Sequence, residues 1–353
     1  MKKYKNKPMK KKAVILAIML SLVVKAQENK DFLNESYGEF NTRMDWFGKA
    51  KYGMFIHFGL SSQLGGFWKE KPIDHYSEWI QANADITPQE YAMLTHTFNP
   101  IDFDADFIAE TAKKAGMNYL VITTKHHEGF CLWNSKYTNF DVGSTPFKRD
   151  ILAELSEACR KQGIKFGTYY SIIDWHHPSQ ERNIDGHDAW TRWGLIRMKT
   201  GRKTEYVEYV KNQLKELIEN YNPDLLWFDG GWTEWWGTET GSQVYNYVRN
   251  IKPNIIINDR LQNTQKRDYG TPEQSHPEDK PEDRYWEACY TMNESWGFKK
   301  GDDNWKTPKD IYEKLKDINQ KGGNLLLNIG PDGDGKVPEK SIEIILKVGK
   351  MLK

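Results

Sequence analysis

Asp229 closes the apolar run Leu225-Leu226-Trp227-Phe228 and is followed at once by Gly230-Gly231-Trp232. Four apolar residues before an acid read as a buried parallel strand, and paired glycines let the chain turn sharply behind it. In barrel enzymes a carboxylate at the C-terminal end of a strand points into the active-site mouth. Tryptophan on both sides offers flat apolar faces of the kind that stack on sugar rings. An acid in this position can equally cap the following segment, so the other strand ends have to decide between the two readings.

They favour chemistry. Ile56-His57-Phe58-Gly59 closes one apolar run, and Lys125-His126-His127-Glu128-Gly129-Phe130 closes a second. Tyr169-Tyr170-Ser171, then Asp174-Trp175-His176, closes a third, and Asn258-Asp259-Arg260 a fifth. A lone strand-end histidine is most often a hydrogen-bonded core residue. Five ends carrying His, Tyr, Asp and Arg at one face describe a site for a polyhydroxylated ligand.

If that ligand is a glycoside, two carboxyl groups must flank the scissile bond, one attacking or activating water and the other protonating the leaving oxygen. Asp229 is the natural nucleophile. Its partner is either Glu273, in the polar stretch Asp268 to Gln274, or Glu287, in Tyr285-Trp286-Glu287-Ala288-Cys289. A general acid needs desolvation or a neighbouring negative charge to stay protonated near neutral pH.

A metal fits less well. Adjacent histidines on a strand point to opposite faces, so His126 and His127 are not expected to share an ion. No His-x-His, His-Glu-x-x-His or paired cysteine ligands occur. Asp332-Gly333-Asp334-Gly335 lacks the remaining ligands of a calcium loop and reads as a turn. No metal and no cofactor is expected.

The elements that must position these groups alternate along the chain. Strands are expected at Met54–Leu60, Tyr119–Lys125, Lys165–Ile172, Leu225–Asp229, Ile255–Asp259, Tyr285–Tyr290 and Asn324–Ile329. Helices are expected at Thr87–Thr97, Asp104–Ala115, Asp150–Gln162, Thr204–Tyr221, Gly241–Ile251, Thr307–Lys321 and Pro338–Leu352, with Thr87-Pro88 and Thr307-Pro308 as capped starts. Such alternation implies a parallel sheet, and at this length an α/β, (β/α)8-like (TIM-type) barrel, irregular in places. Leu261 to Arg284 reads as a long functional loop, and residues 176–203 resemble it.

The first residues stand apart. Lysines precede a 12-residue apolar run, Ala13 to Val24, and Val24 and Ala26 suit a cut after Ala26. This is the layout of a secretory signal peptide at 1–26, ahead of one catalytic domain at 27–353, and the run falls short of the roughly 20 residues of a membrane span. Export to the periplasm or beyond is therefore expected, without stable membrane insertion. The chain carries 50 Lys and Arg against 49 Asp and Glu, a net +1, and loss of the leader's eight lysines leaves about 1 − 8 = −7. An acidic mature protein argues against nucleic acid as a partner. Three cysteines are too few for a disulfide framework and read as buried apolar residues. The 14 tryptophans are many, and several adjoin carboxylates or histidines.

Together these stretches resemble the α-L-fucosidases of glycoside hydrolase family 29 over nearly all of 42–352. The matching segments are Trp46-Phe47 to Gly59, Glu78-Trp79, Lys125 to Phe130, Trp133, Gly167 to Ser171, Trp227 to Gly230, Asn258 to Arg260 and Gly322 to Asn328. The resemblance implies a retaining exo-acting hydrolase for terminal α-L-fucosyl linkages of an oligosaccharide or glycoconjugate, with Asp229 as nucleophile. It also implies a sugar pocket lined by His57, Glu78, Trp79, His126, His127, Tyr170, Trp227 and Arg260. Thr271-Pro272-Glu273 looks like the α-1,3/1,4-acting subgroup, which favours Glu273 over Glu287 as acid/base. Phe58 stands where tryptophan is common, and the C-terminal β-sandwich usual in the family is not expected here. A glycosidase for a sugar of similar shape such as an α-L-galactoside, and a barrel that binds carbohydrate without cleaving it, are the alternatives.

Overall fold

The computed structural model describes Met1 and residues 30–262, 267–281 and 285–353. The leader expected at 1–26 lies, apart from Met1, outside the described residues. Residues 31–353 form one compact unit.

Seven parallel strands make its sheet: β1 (Tyr52–Ile56), β2 (Tyr119–Lys125), β3 (Lys165–Ser171), β4 (Leu225–Asp229), β5 (Ile256–Ile257), β6 (Glu287–Tyr290) and β7 (Asn324–Ile329). Their spatial order is β6-β7-β1-β2-β3-β4-β5. The sheet curls, and the eighth place between β5 and β6 is taken by residues 268–274. Asp268 N–H donates to Ile257 O on one side, and on the other Glu287 N–H donates to Gly270 O and Gln274 N–H to Cys289 O. The long loop expected over Leu261 to Arg284 is corrected in this part: its middle runs as an irregular barrel strand. Proline at position 272 and the isolated bridges Asn258–Tyr269, Gly270–Trp286 and Glu273–Cys289 explain why no strand pattern appears there.

Helix α1 (Tyr37–Ala50) starts in a capping box in which Ser36 Oγ accepts from Glu39 N–H and Glu39 reaches back to Ser36 N–H. It sends Met44 and Phe47 into the barrel interior, where they pack with Phe55, Tyr119, Val121, Tyr169, Trp227 and Leu326. Around the outside lie α2 (Ala105–Lys114), α3 (Ile151–Gln162), α4 (Lys203–Tyr221), α5 (Gly237–Ile251), α6 (Pro308–Gln320) and α7 (Glu339–Met351). Asp104 and Asp150 cap α2 and α3, and Thr307 with Asp310 makes a capping box on α6. Between helices and sheet runs a second, larger apolar layer, to which Tyr170, Phe58 and Phe228 belong.

The Met54–Leu60 strand ends at Ile56, with Leu60 opening a short helix, and the Tyr285–Tyr290 strand starts only at Glu287; two further elements are also shorter than expected. The Ile255–Asp259 strand forms a ladder only at Ile256–Ile257, with one isolated bridge beyond it at Asn258, since Asp259–Leu261 turns into a short 3-10 helix that carries Arg260. The Thr87–Thr97 helix divides into an α turn at Pro88–Ala92 and a 3-10 turn at Met93–His96. Both lie at rims, where tertiary contacts outweigh propensity. Among the described residues no helix is long and apolar enough to cross a membrane. All three cysteines are buried and free.

Candidate active site

The C-terminal ends of the strands open into a cavity of about 860 Å3. Asp229, the last residue of β4, lies in its floor at 8% exposure. Gly230 follows with φ +79°, a backbone state unfavourable for residues with a side chain, so the chain turns away directly behind the carboxylate. Gly231 leaves room for Arg260 O, which a Cβ there would approach to 2.2 Å.

Both Asp229 oxygens are held. Tyr169 OH donates to Oδ2 at 2.8 Å, and Arg260 Nη1 donates to Oδ1 at 3.1 Å. The other guanidinium nitrogen, Nη2, donates to Glu273 Oε2 at 2.8 Å, and the guanidinium lies 4.6 Å over the Trp227 ring. A single half-buried cation thus ties together two carboxylates lining the cavity. Burial and then the Asp229 charge keep the Tyr169 hydroxyl protonated, well above its ordinary range, so it remains a donor.

The three histidines divide by the direction in which their surroundings shift them. His127 Nδ1 is 2.6 Å from Ser171 Oγ, and that hydroxyl gives its own proton to Ile173 O. The proton on His127 therefore sits at Nδ1, and Nε2 presents a lone pair 3.7 Å from Asp229 Oδ2, two acceptors facing one another. His57 Nδ1 meets Asn328 Oδ1 at 2.7 Å, and the Asn328 amide is fixed in that sense because its Nδ2 donates to Trp296 O. His57 likewise turns Nε2 outward as an acceptor. Burial holds both rings neutral: it lowers His127 well below its ordinary value and His57 to about 3. For His126 burial also pulls downward, but Glu128, 3.5 Å away, with Glu78 and Asp229 outweighs it, and the net shift is upward. Two acceptor rings beside a third whose carboxylate neighbours favour its protonated, donating form suit a ligand whose adjacent hydroxyls each give and take a hydrogen bond.

Glu78 is buried, with Oε2 accepting from Gly297 N–H and Ser295 Oγ–H, while Oε1 has no protein partner. Burial raises its pKa. Trp79, Trp227, Trp232 and Trp296 supply apolar walls.

Most of the residues expected at the site do meet here: His57, Glu78, Trp79, His126, His127, Trp227, Asp229, Arg260 and Glu273 all line one cavity. Tyr170 does not and is corrected. Its hydroxyl donates to Gln213 on α4, and its ring lies under Lys125 in the outer layer. Tyr169, one residue earlier, faces inward in its place. Phe58 is also in the outer layer, stacked on Phe103. Glu287 lies beneath the floor, fully buried, accepting from Tyr119 OH at 2.5 Å and Trp227 Nε1 at 2.9 Å. Burial lifts its pKa to about 7. The adjacent histidines do not point apart as strand geometry suggested. A register shift at Thr123/Lys125 turns Lys125 outward to Asp174, and the strand ends there, so both rings enter the cavity 4.3 Å apart. Even so, among the described residues no group of three or more His, Cys, Asp or Glu is arranged to hold an ion. Tyr169 and Ser171 stand in a strand end read from the sequence, and Asn328 in a family-matching segment, but their roles, and Trp296 altogether, escape sequence reasoning because they act through partners distant in sequence.

The neutral imidazoles have a consequence for stability. A His57 pKa depressed from 6.5 to about 3 means that below pH 6.5 the unfolded chain takes up a proton the folded chain refuses. Stability is therefore lost as pH falls from 6.5 toward 3, by about 1.4 kcal/mol for each pH step crossed in that window. Melting of wild type and His57→Gln across the same range should show a shallower fall for the variant, and parallel curves would contradict the depressed value.

A family model described as alpha-L-fucosidase matches residues 19–353. The chain is 34% identical to the tissue alpha-L-fucosidase of Mus musculus, covering 87% of this chain and 69% of that one. Against the Homo sapiens tissue enzyme it is 32% identical, covering 87% and 67%. It thus spans about two thirds of the length of these curated relatives. Among solved structures, an alpha-L-fucosidase of Lactobacillus casei in complex with alpha-L-fucose product matches with a TM-score of 0.81 at 37% identity, covering 88% of this chain and 98% of that one. A GH29 alpha-L-fucosidase from Bacteroides thetaiotaomicron, trapped as a covalent intermediate with 2-fluoro-fucosyl fluoride through a glutamate-to-glutamine mutant, matches at 0.79 and 32% identity, covering 88% and 74%.

Proposed function

This chain belongs to the alpha-L-fucosidase family and is a glycoside hydrolase, and from that premise we propose that it removes terminal α-L-fucose from glycans with retention of configuration, Asp229 being the nucleophile and Glu273 the acid/base. The observation that carries the assignment is the Arg260 guanidinium, which holds Asp229 Oδ1 on one nitrogen and Glu273 Oε2 on the other.

In the first step an Asp229 oxygen bonds to the anomeric carbon while the bond to the leaving oxygen breaks, and that oxygen takes the proton of Glu273. The product is a fucosyl ester of Asp229. The carboxylate charge has then been consumed, and Arg260 faces Glu273 alone, supporting its anionic form as the base for the second step. Water yields a proton to Glu273 and bonds through its oxygen to the anomeric carbon, freeing Asp229 and fucose of the original configuration. Glu273, with a side chain 38% exposed, can exchange its proton with solvent between steps.

The binding groups suit a deoxyhexose. His57 and His127 accept, His126 donates, and the unpartnered Glu78 Oε1 accepts from a further hydroxyl. Phe55 and Trp296, both against His57, offer an apolar surface for a methyl group. A floor so closed favours release of single sugars from chain ends.

The test is proton NMR of para-nitrophenyl α-L-fucoside hydrolysis. The α anomer of fucose should appear first and then mutarotate. Initial β anomer would exclude the two-step route, and binding of fucose without turnover would mark a carbohydrate-binding barrel instead.

A further inference from the structure

The cavity continues beyond the groups that would hold one sugar. At about 860 Å3 it is near the upper end for small-molecule pockets, which run to roughly 1,000 Å3. Its floor is closed beneath: His57, His126, His127 and Asp229 are all 8% exposed or less. Anything attached to a terminal sugar bound there has to leave through the mouth. Trp190 stands at that mouth, 45% exposed and lining the same cavity.

An aromatic wall joins rim to floor. The Trp190 ring centroid lies 5.8 Å from Trp79 and 5.4 Å from Trp232. Those two rings in turn lie 5.2 and 6.0 Å from the His127 ring beside Asp229. The wall is built to stay in place. Trp190 opens a single π-helical turn, Trp190–Gly194, of a kind frequent at functional sites. Three indoles pin the backbone just behind it: Trp175 Nε1 donates to Trp193 O, Trp232 Nε1 to Gly194 O and Trp235 Nε1 to Ile196 O. The Trp190 ring is seated on Gly194, where a Cβ would come within 2.6 Å of its Cε3. These contacts fix one large ring that still leaves 45% of its surface open at the mouth.

We propose that Trp190, seated on Gly194 and backed by Trp79 and Trp232, is the stacking surface for the pyranose ring on the leaving-group side of the scissile bond. This rests on the hydrolase reading above. An indole face matches the C–H face of a pyranose, and Asp188 and Asn83 on the same rim are within the cavity lining to meet its hydroxyls.

The probes are α-L-fucosyl fluoride, whose leaving group has no ring, and a fucosyl-N-acetylglucosamine disaccharide. Trp190→Ala should lower kcat/KM about tenfold on the disaccharide and leave the fluoride within about twofold, a difference near 1.4 kcal/mol. Trp190→Phe should keep most of the disaccharide activity. Equal losses on both substrates, or no loss on either, would overturn the subsite while leaving the hydrolase reading intact. A wild-type protein inert toward the fluoride would instead overturn that reading itself.

Discussion

Asp229→Ala should lose about 10^4-fold in kcat, the scale seen when a single member of a catalytic constellation is removed, while the protein stays folded. The expectation of folding follows from the surroundings: Arg260 retains Glu273 and Thr271 as partners, and Tyr169 keeps its stack on Trp227. The sharper readout is chemical rescue. Azide has room to enter where the carboxylate was and attack the anomeric carbon of an activated aryl α-L-fucoside from the nucleophile's side. One displacement inverts, so the product should be the β-L-fucosyl azide. An α-configured azide, or full hydrolytic activity in the variant, would remove Asp229 from the nucleophile's role.

Glu273→Ala should fall by about 10^2- to 10^4-fold on substrates with poor leaving groups, the usual range for a positioned acid. The loss should be smaller on the first step of a dinitrophenyl fucoside, whose leaving oxygen needs no proton. Azide should then restore turnover by attacking the ester on Asp229, and the product should be the α-L-fucosyl azide, since two displacements retain configuration. Glu287→Ala is the control with a different signature. It takes the acceptor from Tyr119 OH and Trp227 Nε1 below the floor, so it should lower the melting temperature and show no azide rescue. Rescue of Glu287→Ala, and none of Glu273→Ala, would transfer the acid/base role.

The two glutamates show how far reading along the chain could go. They lie close together in sequence, Glu273 in a polar stretch without periodicity and Glu287 in a stretch that reads as a strand. Their separation is an effect of the barrel's closure. Segment 268–274 runs between β5 and β6 as an eighth, irregular strand, and Glu273 emerges at its upper end into the cavity. Glu287 begins β6 and so lies lower, inside the barrel. A proline-bearing segment held by isolated bridges carries no alternation, and it could only read as a loop.

What the sequence determined by itself is the set of buried strands, most helix starts, and the placing of acid, imidazole and guanidinium groups at one end of those strands. Apolar runs ending in polar residues, with capping hydroxyls and prolines between, are enough for that, because burial and backbone capping act locally. Only the tertiary structure decided which neighbour faces the cavity and in what protonation state. On β3 Tyr169 and Tyr170 are both fully buried, and in a parallel sheet covered on both faces the pattern of side chains does not distinguish inside from outside. The histidines follow the same logic: burial holds His57 and His127 neutral while Asn328 and Ser171 set which ring nitrogen carries the proton, and Glu128 close to His126 pulls that ring's pKa upward, all at contact distance and only after folding.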